Sequence, residues 1–301
     1  MNEQDRFRGA LLGLAAGDAV GVTLEFCSRG SAVLTDMVGG GAFGLKPGEW
    51  TDDTAMALCL ATSLLEKNGF DAEDQMQRYV RWWETGYLSS TGRCFDIGST
   101  VESALRRYID TGDPIAGPRG KRSAGNGSIM RLAPVPMFYY PDEEAAIRYS
   151  AESSRPTHGA EESVDACRLF GGMLYRALAG RTKDGVLGGD AGFKGAEKIA
   201  ALARGEYAGL DSDAIAGTGY VVKSLEAALW CFHHTGSFAD AVLKAANLGD
   251  DADTTAAVCG QLAGAFYGLE GIPASWREQV ARAGEILELA DRLHAARPAR
   301  R

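Results

Sequence analysis

Nowhere in this chain do two cysteines stand at C-x-x-C spacing. The six, at 27, 59, 94, 167, 231 and 259, are scattered, several within apolar runs such as AMALCLA and AAVCGQLAG. That pattern argues against a zinc site and fits buried, reduced thiols of a cytoplasmic protein. Positive charge is also in deficit. A net charge of -9 excludes a general attraction to nucleic acid or an anionic membrane, so a nucleotide-like ligand would need a local site or a bound cation. Long apolar spans are missing. The N-terminal ALLGLAAGDAVG is broken by Gly17 and Asp18 and preceded by Glu3 and Asp5, so neither a signal peptide nor a membrane span is expected. Series of alternating apolar and polar residues, strand–helix alternation and internal repeats are absent too, which excludes a doubly wound sheet and a solenoid.

What the chain has is helical periodicity. Residues 6–21 are apolar on most faces, with small Gly13 and Gly17 suited to close helix packing. In 52–67, Met56, Leu60 and Leu64 recur at every fourth position, and 71–86 opens with acids and ends at Gly86. Further helices are expected near 98–110, 127–134, 143–153, 160–179, 193–204, 218–233, 237–247, 251–267 and 273–295. Gly-rich stretches at 39–50, 111–128 and 179–195 read as loops, none long or polar enough for an interdomain linker. With 46% hydrophobic residues in 301 there is ample core, and the expectation is a single compact all-α domain over 1–301.

The acids are arranged unevenly. NLGDDADTTAAVCGQLAGAFYG (247–268) places Asp250, Asp251 and Asp253 before a run that is small or apolar on every face, the mark of a central buried helix. Acids there complement the helix dipole and cap free N–H groups, and for one Asp that would suffice. Three exceed what a cap needs. EWTDDTAMALCLA (49–61) repeats the grammar with Thr51, Asp52 and Asp53. Two Asp/Thr clusters, each opening a buried helix, suggest convergence on one cation. Their hard oxygen donors favour Mg²⁺ or Mn²⁺, with Ca²⁺ left open. An EF-hand starting at Asp251 fails, since Ala256 and Leu262 stand where Gly and Glu are required.

Other polar loops bear on the site. AGNGSIMR (124–131) offers Gly125, Asn126, Gly127 and Ser128 before an expected helix, where free N–H groups can hold a phosphate, or form only a turn and cap. GGGAFG (39–44) fits G-x-G-x-x-G but lacks the strand before and the helix after, so the dinucleotide fingerprint is rejected. Asp96 in CFDIGST and Glu25 in DAVGVTLEF sit among apolar neighbours, where carboxylates are either paired or functional. His158, one of four histidines, lies in the loop RPTHG.

Taken in order, GLAAGDAVGVTLEF, WTDDTAMAL, DIGST, GNGSIMR, PTHG and LGDDADTTAAVCGQLAGAFYG resemble the ADP-ribosylglycohydrolases, most of all the bacterial dinitrogenase reductase-activating group. The resemblance spans about residues 5–290. It implies an all-α fold with a binuclear Mg²⁺ or Mn²⁺ centre in a cleft, held by Thr51, Asp52 and Asp53 on one side and Asp251, Asp253 and Thr254 on the other. It implies hydrolysis of the C1″ bond between ADP-ribose and a modified acceptor, most often protein arginine, with an ADP-ribosylated protein or small ADP-ribosyl conjugate as partner. Asp96 and Glu25 take catalytic places. Gly125, Asn126, Gly127 and Ser128 take the diphosphate loop, His158 a positioning place and Tyr220, in GTGYVV, a place near the nucleotide. Relatives often carry a His or an acid where this chain has Ala160, which bears on substrate positioning. The rival readings are an inactive ADP-ribose-binding regulator and a Mg²⁺-dependent hydrolase of another nucleotide bond.

Overall fold

Apolar periodicity becomes helix nearly everywhere in the computed structural model, which describes residues 1–188 and 192–296. In chain order the helices are α1 (Glu3–Gly21), α2 (Asp52–Lys67), α3 (Ala72–Thr85), α4 (Ser99–Thr111), α5 (Pro134–Tyr139), α6 (Glu143–Ser154) and α7 (Glu161–Leu178). They continue with α8 (Lys183–Leu187), α9 (Glu197–Ala203), α10 (Val221–His233), α11 (Phe238–Ala246), α12 (Ala252–Tyr267), α13 (Ala274–Gln279) and α14 (Ala283–Ala295). Among the described residues there is no strand, only isolated bridges at Gly40–Leu45 and Gly125–Tyr220. The all-α expectation is met.

The centre of the molecule is the pair α1 and α12, with α11, α10 and α7 against α12 and α14 and α2 against α1. Glycine sets their distance. A Cβ on Gly9 would lie 2.3 Å from the Gly264 carbonyl oxygen, on Gly13 2.5 Å from that of Gly260, on Gly17 2.2 Å from that of Ala256, and on Gly21 2.4 Å from that of Ala252. One helix counts up in fours while the other counts down, so the two run antiparallel with backbones in contact. The seam therefore brings the C-terminal end of α1 to the N-terminal end of α12. With the turn that follows it to Leu24, α1 is long enough to span a membrane, and an 18-residue window within it has a mean hydropathy of 1.3, contrary to the expectation drawn from Gly17 and Asp18. Yet 89% of that window is buried inside the protein, where α12 rather than lipid covers it.

Three expectations need correction. Of the helix expected over 127–134, residues 127–133 form turns and only Pro134 is helical, as the first residue of α5. The Asn126 N–H donates to the Gly219 carbonyl (3.1 Å), which pins the stretch to another loop, and Arg131 must turn its side chain fully inward. The helix expected over 273–295 is cut in two, because the Ala281 N–H donates to the Gly48 carbonyl (2.8 Å) and Arg282 takes a left-handed φ of 59°. The stretch 179–195, read as loop, contains the short α8, while its residues 189–191 lie outside those described.

Gly17→Ala tests the seam. Helix propensity favours Ala by about 1 kcal/mol, but a Cβ 2.2 Å from a backbone oxygen forces the helices apart. Overpacking of this kind costs about 1–3 kcal/mol or more, so a lower melting temperature is expected. A melting temperature at or above wild type would show that the helices part freely.

Candidate functional site

The helices α2 and α12 take most of their N-terminal capping from carboxylates elsewhere in the chain; of their own acids, Asp253 bonds one helix-start N–H, its Oδ1 accepting from Thr254 (2.7 Å). The N-terminus of α2 is capped by Asp18 of α1: its Oδ1 accepts from the Thr51 N–H (2.9 Å) and hydroxyl (2.9 Å), and its Oδ2 from the Thr54 N–H (3.0 Å) and hydroxyl (2.6 Å). The N-terminus of α12 is capped by Glu25, just beyond the end of α1, whose Oε2 accepts from the N–H groups of Ala252 (2.8 Å) and Asp253 (3.3 Å). Neither Thr51 nor Asp251, the residues at the cap positions, bonds its own helix start with its side chain. Capping by acids from elsewhere removes the simplest account of why Asp52, Asp53 and Asp251 are there, and leaves Asp253 Oδ2 free for the group below.

These acids form one buried group. The Thr51 hydroxyl lies 3.3 Å from Asp253 Oδ2 and 3.5 Å from Asp53 Oδ2, and the Thr254 hydroxyl donates to Asp53 Oδ2 (3.3 Å). Asp253 lies within hydrogen-bonding reach of both Glu25 and Asp96. Burial, and then neighbouring negative charge, raises the pKa of Asp18, Glu25, Asp52, Asp53, Asp251 and Asp253. Asp96 is raised to about 6 by burial and by Asp18 and Asp251, while its bond with Asp253 opposes the shift. No Lys or Arg pairs with any of the seven among the described residues. Such a group holds either protons or a cation.

The donors fit a cation. Oxygens of Glu25, Asp251 and Asp253 lie within 4.8 Å of one another, and Asp53 Oδ1 is buried without a hydrogen-bond partner. All are hard oxygen donors suited to a divalent ion.

Above the acids opens a cleft of about 360 Å³. Of the residues singled out in the sequence, Glu25, Asp52, Asp96, Gly125, Asn126, Gly127, His158, Asp251, Asp253 and Thr254 line it. Thr51 and Asp53 lie beneath, bonded to that lining. Ser128 and Tyr220 do not line it. Ser128 is buried, its hydroxyl accepting from Ser154 (2.9 Å), and the Tyr220 hydroxyl donates to Glu162 (2.7 Å) and accepts from Lys198 (2.7 Å). Asn126 ties the Gly-rich loop to the acids, its Nδ2 donating to Asp251 Oδ2 (3.0 Å). Gly127 is small for a reason, since a Cβ there would meet His158 Cε1 at 2.8 Å. Ala160 starts α7 without a side-chain cap. Phe26, Asp96 and Asp250, all in loops around the site, hold left-handed φ values of 61°, 58° and 62°, the kind of strain that collects at functional sites.

Sequence reasoning missed Asp18 as a site residue and saw it only as a break in an apolar run. A carboxylate inside GLAAGDAVG was the available signal. It also missed Phe26, which lines the cleft beside Glu25 and is 67% exposed, and the start of α4, where Ser99 and Thr100 form part of the wall.

A helical frame that buries two Asp/Thr sets under a Gly-rich loop gives a cleft whose oxygen donors could hold a cation, and the comparisons give its class. The sequence model of the ADP-ribosylglycohydrolase family matches residues 1–301, and the chain belongs to that family. It is 46% identical to an "ADP-ribosylarginine hydrolase Tri1" of Pseudomonas putida (strain GB-1), over 98% of this chain and 79% of that one. It is 33% identical to the "ADP-ribosyl-[dinitrogen reductase] glycohydrolase" of Rhodospirillum rubrum, over 90% and 89%. A solved "ADP-ribosylglycohydrolase-related protein complex" superposes with a TM-score of 0.87 at 39% identity, covering 98% of both chains.

The raised carboxylates give stability a direction with pH. Asp18 and Asp251 are raised to about 7, and Asp96 and Asp253 to about 6, so the folded protein holds these protons more tightly than the unfolded chain. Their contribution is complete below the unfolded value near 4 and is lost as pH rises through 6–7. With chelator present, the melting temperature should fall between pH 5 and pH 8, and added Mn²⁺ should restore it at pH 8. A melting temperature that rises over that range in chelator would contradict the burial of these acids.

Proposed function

We propose that this protein is a metal-dependent ADP-ribosyl hydrolase that releases ADP-ribose from modified arginine side chains. The observation that carries this is the meeting of Thr51, Asp52 and Asp53 with Asp251, Asp253 and Thr254 under the cleft, while other acids cap both helices. Two relatives named ADP-ribosylarginine hydrolase, at 46% and 42% identity, support arginine as the acceptor. The acceptor's carrier is a protein or a small ADP-ribosyl conjugate.

Those six residues would hold two Mg²⁺ or Mn²⁺ ions. Bound there, the ions supply positive charge that orients the distal ribose hydroxyls and polarises water. The chain's own groups do the rest. Gly125, Asn126, Gly127 and Ser128 shape the loop for the diphosphate, Asn126 by anchoring it, since its N–H is held by the Gly219 carbonyl, and Ser128 through the turn, since its hydroxyl is engaged inside. His158 borders that loop, and Tyr220 flanks it through the Gly125 bridge, on the side assigned to the nucleotide. Water adds to C1″ as the C1″–N bond opens through a state with oxocarbenium character, and the proton released by the water ends on the departing guanidine. Asp96, titrating near 6, carries that proton. Glu25 shapes the acid floor from the α12 cap and orients the water.

A binding protein without turnover would have no need of all of Glu25, Asp52, Asp53, Asp96, Asp251 and Asp253, yet all are present and gathered. We place the enzyme in the cytoplasm, where its six unpaired thiols would stay reduced.

Arginine-, serine- and nucleic-acid-linked ADP-ribose, incubated with and without Mg²⁺, test the reading. Free ADP-ribose and unmodified arginine should appear only with metal, whereas AMP and ribose phosphate would indicate a different bond. Asp96→Asn should slow single turnover about 10²–10⁴-fold with Mn²⁺ and ADP-ribose binding intact. Cleavage within a few fold of wild type would make Asp96 structural. Gly127→Val, which drives a branched side chain into the His158 ring, should weaken ADP-ribose binding and leave Mn²⁺ affinity nearly unchanged. Unchanged ADP-ribose affinity would put the diphosphate elsewhere.

A further inference from the structure

Arg131 is a fully buried cation with no carboxylate partner among the described residues. Its Nη2 donates to the Thr157 hydroxyl oxygen (2.6 Å), its Nη1 lies 3.8 Å from Met56 Sδ, and its guanidinium stacks 4.6 Å from the Tyr79 ring centre. Thr157, also fully buried, has its Oγ1 2.8 Å from His158 Nδ1.

Direction along this chain follows from what each group can do. A guanidinium has no acceptor, so Arg131 donates and Thr157 accepts. The Thr157 hydroxyl has one proton, and His158 Nδ1 is its one neighbouring acceptor among the described hydrogen bonds. If Nδ1 carried the hydrogen instead, the Thr157 proton would be buried without an acceptor, at a cost of about 1–3 kcal/mol. The ring therefore accepts at Nδ1 and bears its hydrogen on Nε2. That edge faces the Gly-rich loop: a Cβ on Gly125 would meet Nε2 at 3.3 Å, and one on Gly127 at 3.1 Å. His158 lines the cleft, and its Nε2 has no hydrogen-bond partner in the described protein.

We infer that Arg131 and Thr157 are positioning residues that fix His158 as the tautomer protonated on Nε2, so that a hydrogen-bond donor points into the cleft at the Gly125–Gly127 loop. The ligand chemistry that matches is an oxygen acceptor, such as a phosphoryl oxygen of a nucleoside diphosphate. Burial and the nearby guanidinium push the ring's pKa down to about 3, so it stays a neutral donor and gives no proton to the reaction. Identifying the acceptor as phosphoryl rests on the functional reading above, but the tautomer does not.

The test combines ¹⁵N-detected imidazole spectra at pH 8 with calorimetry using ADP-ribose as the probe. Wild type and Thr157→Ser should show a protonated Nε2 and a bare Nδ1. Thr157→Asp offers only acceptors at that pH, so it should draw the proton onto Nδ1 and weaken ADP-ribose binding about 10-fold, the loss of one hydrogen bond. A wild-type ring protonated on Nδ1, or a Thr157→Asp ring unchanged from wild type, overturns the relay. An inverted ring with ADP-ribose bound as tightly as before overturns the donor role. If wild type itself fails to bind ADP-ribose, the functional reading fails, while the wild-type spectrum still decides the relay.

Discussion

The contact between α1 and α12 is the constraint from which the site follows. With glycine at positions 9, 13, 17 and 21 of one helix and carbonyls of Gly264, Gly260, Ala256 and Ala252 opposite, the backbones meet directly. The spacing fixes register as well as distance. A slip of one residue along either helix would bring a Cβ against a carbonyl at every step. The same register sets Asp18 under the start of α2 and carries the chain past Gly21 so that Glu25 reaches the start of α12. Packing in the core thus decides which carboxylates cap helices and which stay available.

That division explains how so many acids can be buried together. A helix start offers free N–H groups and positive potential, which suits one carboxylate well. Here each start takes a carboxylate from the α1 segment, and apart from the one Thr254 N–H that Asp253 holds, the Asp residues of α2 and α12 turn toward each other. Their mutual repulsion and lost hydration have no basic side chain among the described residues to offset them, so protons must be held or a divalent ion must stand among them. The Gly-rich loop is bound to the same group through Asn126 and Asp251, so the loop proposed for a charged ligand and the acids proposed for an ion are mechanically one unit.

Much of this was legible in the sequence, for identifiable reasons. The two Asp/Thr clusters stood out because each interrupts an apolar helical pattern at its start, where spacing alone shows an excess over capping needs. Glycine at fourfold spacing announced close packing. Asp18 was not legible, because a lone acid in an apolar helix looks like an interruption until its partners on α2 are known. The turn conformation of 127–133 depends on a bond to Gly219, and the break at 280–282 on one to Gly48, both supplied by distant segments. The inward face of Ser128 and the engagement of Tyr220 with Glu162 are tertiary outcomes of the same kind.

The central claim is that the buried acids exchange protons for a divalent cation. Calorimetric titration of chelator-treated protein with Mn²⁺ at pH 7, repeated in buffers of different ionisation enthalpy, tests it most directly. The account predicts saturable binding with release of about one proton or more per ion, since carboxylates raised toward neutrality must give theirs up. Binding without proton release, or no saturable binding at millimolar Mn²⁺, would contradict it.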